Sequence, residues 1–359
     1  MRSDLDHRDI RKVQFTGRST YVLSLPKKWI EEMHLNPGDR VTIVRELDNS
    51  LSVIPLIAMG KELPHEVTTY VSPSESGDTL KRKVVSIYLA GYNIIHLKLK
   101  SGRMSPVLRD AVRDVVRRNL IGTEITADAS DNITLQVLLS LPELSISTAI
   151  RRMYLIASSM HRDAMLALSE LNYELAKEVI KSDDEVDRFS LYIFRNLVMA
   201  MQNGRVLREM GLEHPSDCLS YRVAVKSIER VADHAYSIAD KAIMLREKVP
   251  KDSLQKMEKM SQLALTVLVD SVEALLRRDY QRADKTVDAA RNIRTLEDDV
   301  LKAMEKDKVH DPTYIKLALE DIRRTAEYAS DIAEIAMNQT IDEVLEKHKA
   351  TASRIEEQV

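Results

Sequence analysis

The sequence predicts a mainly α chain: a six-helix bundle made of two three-helix units, preceded by a small strand-rich head and a small α/β unit. Three observations carry this. Hydrophobic residues make up 44% of the 359 residues and charged ones 30%, with aromatics at only 4%. That balance suits helices that bury Leu, Ala, Met and Val and expose Lys, Glu and Arg. From Ser145 onward the apolar residues recur at helical spacing between cap and break signals. Ahead of Pro55, short apolar and β-branched runs instead alternate with Gly, Asn and Asp turns.

In the head, Lys12 to Pro26 reads as two short strands turning at Gly17. Pro26 fits the first turn of a short helix whose apolar face is Trp29, Ile30 and Met33. Asn36-Pro-Gly-Asp39 is a turn, Val41 to Arg45 a strand, Asp48-Asn-Ser50 a second turn and Leu51 to Ile54 the last strand; Leu56 to Pro64 reads as a linker. That order, with Thr16-Gly17-Arg18, then Leu25-Pro-Lys-Lys-Trp-Ile30, then Leu35-Asn-Pro-Gly-Asp-Arg-Val41, resembles the SpoVT/AbrB family of small swapped-hairpin DNA-binding domains. The resemblance implies a homodimer whose two chains interleave into one barrel and lay a basic surface on DNA. Arg8, Arg11, Lys12, Arg18, Lys27 and Lys28 are the matching basic positions, opposed over the same stretch only by Asp9. The formal net charge is −3, so affinity for nucleic acid has to come from such local clustering. The same residues also suit a barrel that only dimerises the chain and leaves its lysines solvated.

Next, Glu66 to Val71 suggests a strand, Asp78-Thr79 the cap of a basic helix running through Ala90, and Asn93 to Leu99 another strand. Ser105-Pro106 opens a helix to Leu120 carrying Arg109, Arg113, Arg117 and Arg118, and Thr123 to Thr126 with Ile133 to Leu139 form a hairpin. Lys81-Arg82-Lys83 and the arginine-rich helix either extend a DNA footprint or are the wet faces of their helices.

Six helices are readable beyond Ser145. The first runs to Leu171, Asn172 caps a second that ends near Gly204, and Pro215-Ser-Asp217 starts a third that Pro250 closes. Asp252-Ser253 starts the fourth, Asp279 caps the fifth, and Asp311-Pro312 opens a sixth that continues into a charged tail. The two halves align: Ser227-Ile-Glu-Arg-Val-Ala-Asp-His-Ala235 lies over Asp321-Ile-Arg-Arg-Thr-Ala-Glu-Tyr-Ala329, which makes them tandem repeats.

Asp183 and Asp187 stand one helical turn apart, and so do Glu229 and Asp233, so each pair presents two carboxylates on one face. Asp183 and Asp187 share a stripe with Ala176, Ile180, Leu191, Phe194 and Val198, a face expected to point inward, where carboxylates must be paired, protonated or bound to cations. Taken alone, such pairs are more commonly solvated helix faces.

The phrases Lys181-Ser-Asp-Asp-Glu-Val-Asp187 and Ile228-Glu-Arg-Val-Ala-Asp-His-Ala235 resemble the PhoU family of phosphate-uptake regulators, over about Ser158 to Ala336. The resemblance implies a tandem three-helix bundle, phosphate status as input, a phosphate-transporter ATPase or sensor kinase as partner, and acid-x-x-x-Asp motifs that hold a metal ion or cluster of iron, zinc or another divalent cation. The first repeat keeps the motifs as Asp183, Asp187, Glu229 and Asp233. The second has Ala290 and Arg294, then Arg323 and Glu327, in their places, so one metal site per chain is the most expected. The domain reading is 8–56 head, 65–143 α/β unit, 145–250 and 251–348 repeats, 349–359 tail.

Other classes find little support. The single Cys218 excludes an intrachain disulfide framework, Met1 to Arg11 is charged throughout, and the apolar run Leu191 to Met201 is cut by Arg195 and Asn196; a cytoplasmic protein is expected. Neither a P-loop nor a dinucleotide fingerprint is present. The expectation is a non-enzymatic regulator. The alternative is a carboxylate-bridged iron bundle for storage or redox work, which the lack of a Glu-x-x-His pair in the bundle helices disfavours.

Overall fold

Gly17 sets the first turn of the head, with a φ of 66° that side chains other than glycine adopt at a cost. The structure, a computed structural model, describes residues 9–17, 19–45, 49–55, 65–138 and 145–356. Arg8, Arg18, Asp48, the linker 56–64 and Leu139 lie outside the described residues. The chain divides into two compact units, Met1–His65 and Glu66–Val359.

In the first unit, β1 (Gln14–Thr16) and β2 (Thr20–Val22) pair antiparallel around that turn. Helix α1 (Lys27–Glu32) follows, with Pro26 at its N-cap, one place earlier than expected. The Asn36–Asp39 turn is closed by the Asp39 carboxylate, which accepts from the Asn36 N–H at 2.7 Å. Strands β3 (Val41–Arg45) and β4 (Leu51–Pro55) form a second antiparallel pair, separate from the first. Among the residues of this unit whose exposure is described, none is buried. Tyr21 is 72% exposed, Ile43 and Leu51 65% each, and Phe15 59%. An isolated two-stranded hairpin is marginal in water, and each such side chain forgoes about 1.5–3 kcal/mol of burial.

The second unit begins with β5 (Glu66–Val71), α2 (Gly77–Leu89), β6 (Ile94–Leu99), α3 (Pro106–Asn119), β7 (Thr123–Asp128) and β8 (Asn132–Val137). The sheet order is β5-β6-β8-β7, with β5 parallel to β6 and the other pairs antiparallel. Leu80, Val84 and Tyr88 of α2 and Leu108 and Val112 of α3 pack on Ile95, Leu97 and Leu135 of the sheet. Ser105 caps α3 as expected, accepting from the Leu108 N–H at 3.3 Å. Helix α2 starts earlier than Asp78-Thr79: Ser76 accepts from the Thr79 N–H at 3.2 Å, and Asp78 sits in the first turn, where the helix dipole favours an anion.

The bundle comprises α4 (Ile146–Glu170), α5 (Tyr173–Gln202), α6 (Gly204–Glu209), α7 (Pro215–Met244), α8 (Lys251–Arg277), α9 (Tyr280–Ala290), α10 (Ile293–Lys306) and α11 (Thr313–Glu356). The tandem plan of three long antiparallel segments per repeat is present, with two corrections to the count of six helices. Asn203 leaves the helical region at φ −142° and caps the extra short helix α6 through the Arg205 N–H at 2.9 Å. The fifth segment is broken at Arg291–Asn292 into α9 and α10. Asn172 and Asp279 cap α5 and α9 at 3.1 and 3.0 Å. Helix α8 begins at Lys251, behind Pro250, rather than at Asp252-Ser253.

Helix α7 packs on α4, α5 and α11, and α11 on α7, α8 and α9. Their contact faces are rich in fully buried small residues, Ala232, Ala235 and Ala239 on α7 and Ala326, Ala329 and Ala333 on α11. Small side chains let these central helices approach closely. Arg195, 3% exposed, reaches from α5 to the end of α2, donating to the carbonyls of Tyr88 and Gly91 and to Asn93 Oδ1. Every one of those acceptors is neutral. No helix among the described residues is long and apolar enough to cross a membrane.

Candidate functional site

Asp183 and Asp187 sit one turn apart on α5, Glu229 and Asp233 one turn apart on α7, and these two helices pack against each other. The acid pairs are within each other's electrostatic reach. Burial pushes Asp183 up to about 7, helped by Asp187, Asp233, Asp184 and Glu229. Burial likewise lifts Asp187 to about 6, with Glu229 and Asp233 adding and Lys226 opposing. Asp233, at the solvent edge, is also raised, by partial burial first and then by Glu229. Such shifts mean the ionised forms lack enough nearby positive charge.

Two side chains do contact the cluster. Glu229 accepts from the Ser190 hydroxyl at 2.8 Å and from Lys226 Nζ at 2.5 Å. A cleft of about 620 Å³ opens beside Asp187 and Glu229, lined also by Leu191, Phe194, Arg222 and Lys226. The donor set, carboxylate oxygens only, is the class that hard divalent cations take. As placed, however, no group of three or more His, Cys, Asp or Glu side chains among the described residues is gathered closely enough to hold a metal ion. His234 does not join the four: its Nδ1 lies 2.8 Å from Asp321 Oδ1 and its ring stacks on Tyr328.

The corresponding place in the second repeat is chemically different. Glu327 accepts from Arg323 Nη1 at 2.6 Å and from Arg324 Nη1 at 2.8 Å, and Arg294 Nη2 lies 3.9 Å away. Arg323 also reaches Glu297 at 3.2 Å. Burial works against the charge on Glu327, but the hydrogen bonds from Arg323 and Arg324 overcome it and hold its carboxyl below the usual range.

Of the basic positions assigned to DNA, Arg11 pairs with Asp9 at 2.7 Å, Lys27 with Glu31 at 3.5 Å and Lys28 with Glu32 at 3.9 Å. The lysine pairs are wide open to solvent, a setting in which an ion pair is worth little and yields readily to phosphate. Lys12 is exposed with no ion pair among the described residues, while Arg8 and Arg18 lie outside them. The basic helices of the α/β unit are largely neutralised internally: Lys81 and Arg118 share Asp114, and Arg109 and Arg113 share Asp128. That pairing weakens them as a DNA footprint.

Residues 150–242 match the PhoU domain, and residues 14–57 match the domain described as antidote-toxin recognition MazE, bacterial antitoxin. The chain joins an AbrB-like head to a PhoU domain. The PhoU match runs from α4 to α7 and therefore takes in all four acids, while α8 to α11 fall outside it. A phosphate-specific transport system accessory protein PhoU homolog of Aquifex aeolicus is 28% identical over 158 residues, 43% of this chain and 67% of that protein. A homolog so described in Caulobacter vibrioides is 28% identical over 208 residues, 54% of this chain and 86% of that one. Among solved structures, PhoU from Pseudomonas aeruginosa aligns at a TM-score of 0.47 and 20% identity, covering 54% of this chain and 93% of that one.

The acids of this PhoU domain are legible in the sequence, but their contacts are not. Lys226 stands three residues before Glu229, a spacing that could have flagged the pair. Ser190, on the facing helix, left no such signal.

Proposed function

We propose that the chain is an accessory regulator of phosphate uptake that dimerises and contacts DNA through its head and takes a hard divalent cation at Asp183, Asp187, Glu229 and Asp233. The single observation that carries the regulatory role is the PhoU match over the helices bearing those acids, together with relatives described as accessory proteins of phosphate-specific transport. A transporter ATPase or a sensor kinase is the kind of partner this reading implies. In cells, deleting the gene should uncouple phosphate uptake from phosphate supply; uptake that stays normally regulated would sink the reading.

Dimerisation is supported by the head itself, whose Phe15, Tyr21, Ile43 and Leu51 are exposed in one chain and find cover if a second chain completes a barrel. Lys12, Lys27 and Lys28 would then face DNA phosphates. Electrophoretic titration of a phosphate-uptake promoter should show affinity that falls steeply with salt and drops further with Lys27→Ala and Lys28→Ala. Salt-independent binding, or none, removes the DNA role.

For the cation, the four carboxylates would supply the oxygens, and the cation would supply the positive charge that the raised proton affinities of Asp183, Asp187 and Asp233 call for. Equilibrium dialysis with Mg²⁺, Mn²⁺, Fe²⁺ or Zn²⁺ is expected to retain one of these ions and to release protons as it binds.

A further inference from the structure

Arg230 and Arg324 occupy matching places in the two repeats, as do His234 and Tyr328. In the folded chain these matching residues meet on the seam between α7 and α11. His234 and Tyr328 stack with ring centroids 5.7 Å apart and planes 22° apart. Both guanidinium groups converge on one hydroxyl: Arg230 Nη1 donates to Tyr328 Oη at 2.9 Å, and Arg324 Nη2 donates to it at 2.5 Å. They also lie over the same ring, 5.2 and 4.6 Å from its centre. Two cations that never deprotonate are therefore gathered at one phenol hydroxyl.

Arg324 is paired with Glu327 and its charge also reaches Asp331, so the charge left without an ion pair among the described residues is that of Arg230. Glu327 binds Arg324 but is shared with Arg323. Asp321 is taken by His234 and Lys241. Asp233 feels Arg230, yet among the described residues no carboxylate lies within ion-pairing distance of Arg230. Arg230 is exposed and commits one of its five N–H donors to Tyr328, which leaves the rest of its fork facing solvent.

The geometry points to an oxyanion site on the seam between the repeats, where Arg230 and Arg324, held by Tyr328, bind a small free tetrahedral anion of the inorganic phosphate type. Guanidinium forks match such an anion through paired N–H donors, and the anion would relieve the repulsion between the two arginines. The proposal goes beyond the uptake-regulator reading, because it stands on these residues and names a ligand for them.

The test is calorimetric titration of the full chain with inorganic phosphate, after chelator treatment has removed divalent cations. Saturable binding is expected, weakened about tenfold by Arg230→Gln and by Arg324→Gln, the scale of one charge-assisted contact. Arg230→Lys should recover part of the loss, and Lys177→Gln, on the exposed face of α5 where it pairs with Glu174, should change nothing. Circular dichroism of each variant confirms that its helices are intact. No saturation by about 10 mM phosphate, or undiminished binding in both glutamine variants, overturns the site. Vesicles of a neutral lipid doped with a lipid bearing a phosphate-monoester headgroup form a second arm: co-sedimentation of the protein with them but not with the undoped vesicles, without binding of the free ion, also overturns it. None of these outcomes bears on regulation of uptake in cells, which is tested separately.

Discussion

The two repeats of the bundle share a helical plan and solve opposite electrostatic problems on it. In the first, α5 and α7 bring Asp183, Asp187, Glu229 and Asp233 near one another with Lys226 as the one cation in contact among the described residues, and the three aspartates respond by holding protons to higher pH. In the second, the matching positions are Ala290, Arg294, Arg323 and Glu327, and arginines clamp the remaining acid in its ionised form. The PhoU match covers the first arrangement and stops before the second. One repeat keeps an unmet demand for positive charge, which suits a binding role. Its counterpart meets that demand internally, which suits a structural one.

The largest expected effect tests this contrast through binding. If the first repeat takes a divalent cation, Asp183→Asn with Asp187→Asn should weaken it by on the order of a hundredfold or more in equilibrium dialysis. Glu327→Gln should leave binding unchanged. Equal losses from both would erase the division of labour between the repeats.

Stability provides the next test. Glu327→Gln removes the acid that two guanidinium groups share and is expected to cost about 1–3 kcal/mol in urea unfolding. In chelator-treated protein at pH 8, Asp183→Asn should act in the other direction and stabilise by about 1 kcal/mol, discounted for its partial exposure to solvent. The pH dependences are opposed as well. Asp183 is raised to about 7, so between roughly pH 4 and 7 the folded state holds the extra proton, and its destabilising charge appears as pH rises through that window. The gain from Asp183→Asn should therefore fade toward pH 4. Glu327 is held below its ordinary value, so its contribution is present above the unfolded-state range and lost as pH falls through the folded one. A Glu327→Gln deficit that grew on acidification would contradict the arginine clamp.

How much of this was legible beforehand depended on whether the signal was local. The acid pairs were readable because a spacing of four is itself a geometric statement on a helix. Asn172, Ser105 and Asp279 were readable as caps for the same reason. The break at Arg291–Asn292 was not, since both residues stay near helical angles and neither glycine nor proline marks the place. In the sequence Arg195 and Asn196 only interrupt an apolar run, yet both are buried, at 3% and 8% exposure. Their burial depends on Tyr88, Gly91 and Asn93, about a hundred residues away, and on Tyr192. The meeting of Arg230 with Arg324 lay between these cases, because the repeat alignment paired them but only the packing of α7 on α11 put them on one hydroxyl.

The smallest expected effect concerns how far the clamp extends. Arg294 stands where the first repeat has Asp187, and it could be counted as a third partner of Glu327. Its side chain is 80% exposed and its contact is 3.9 Å, against 2.6 and 2.8 Å for Arg323 and Arg324. An exposed pair at that distance is screened by water and offset by the entropy of holding a long side chain. Arg294→Ala should change unfolding stability by less than about 0.5 kcal/mol and be insensitive to salt. Arg323→Ala should cost more, because it removes a partner from both Glu327 and Glu297, two partly buried acids that share its guanidinium. If Arg294→Ala proved the costlier change, the second repeat would be held together by the residue that replaced an acid, and the contrast between the repeats would rest on that one substitution.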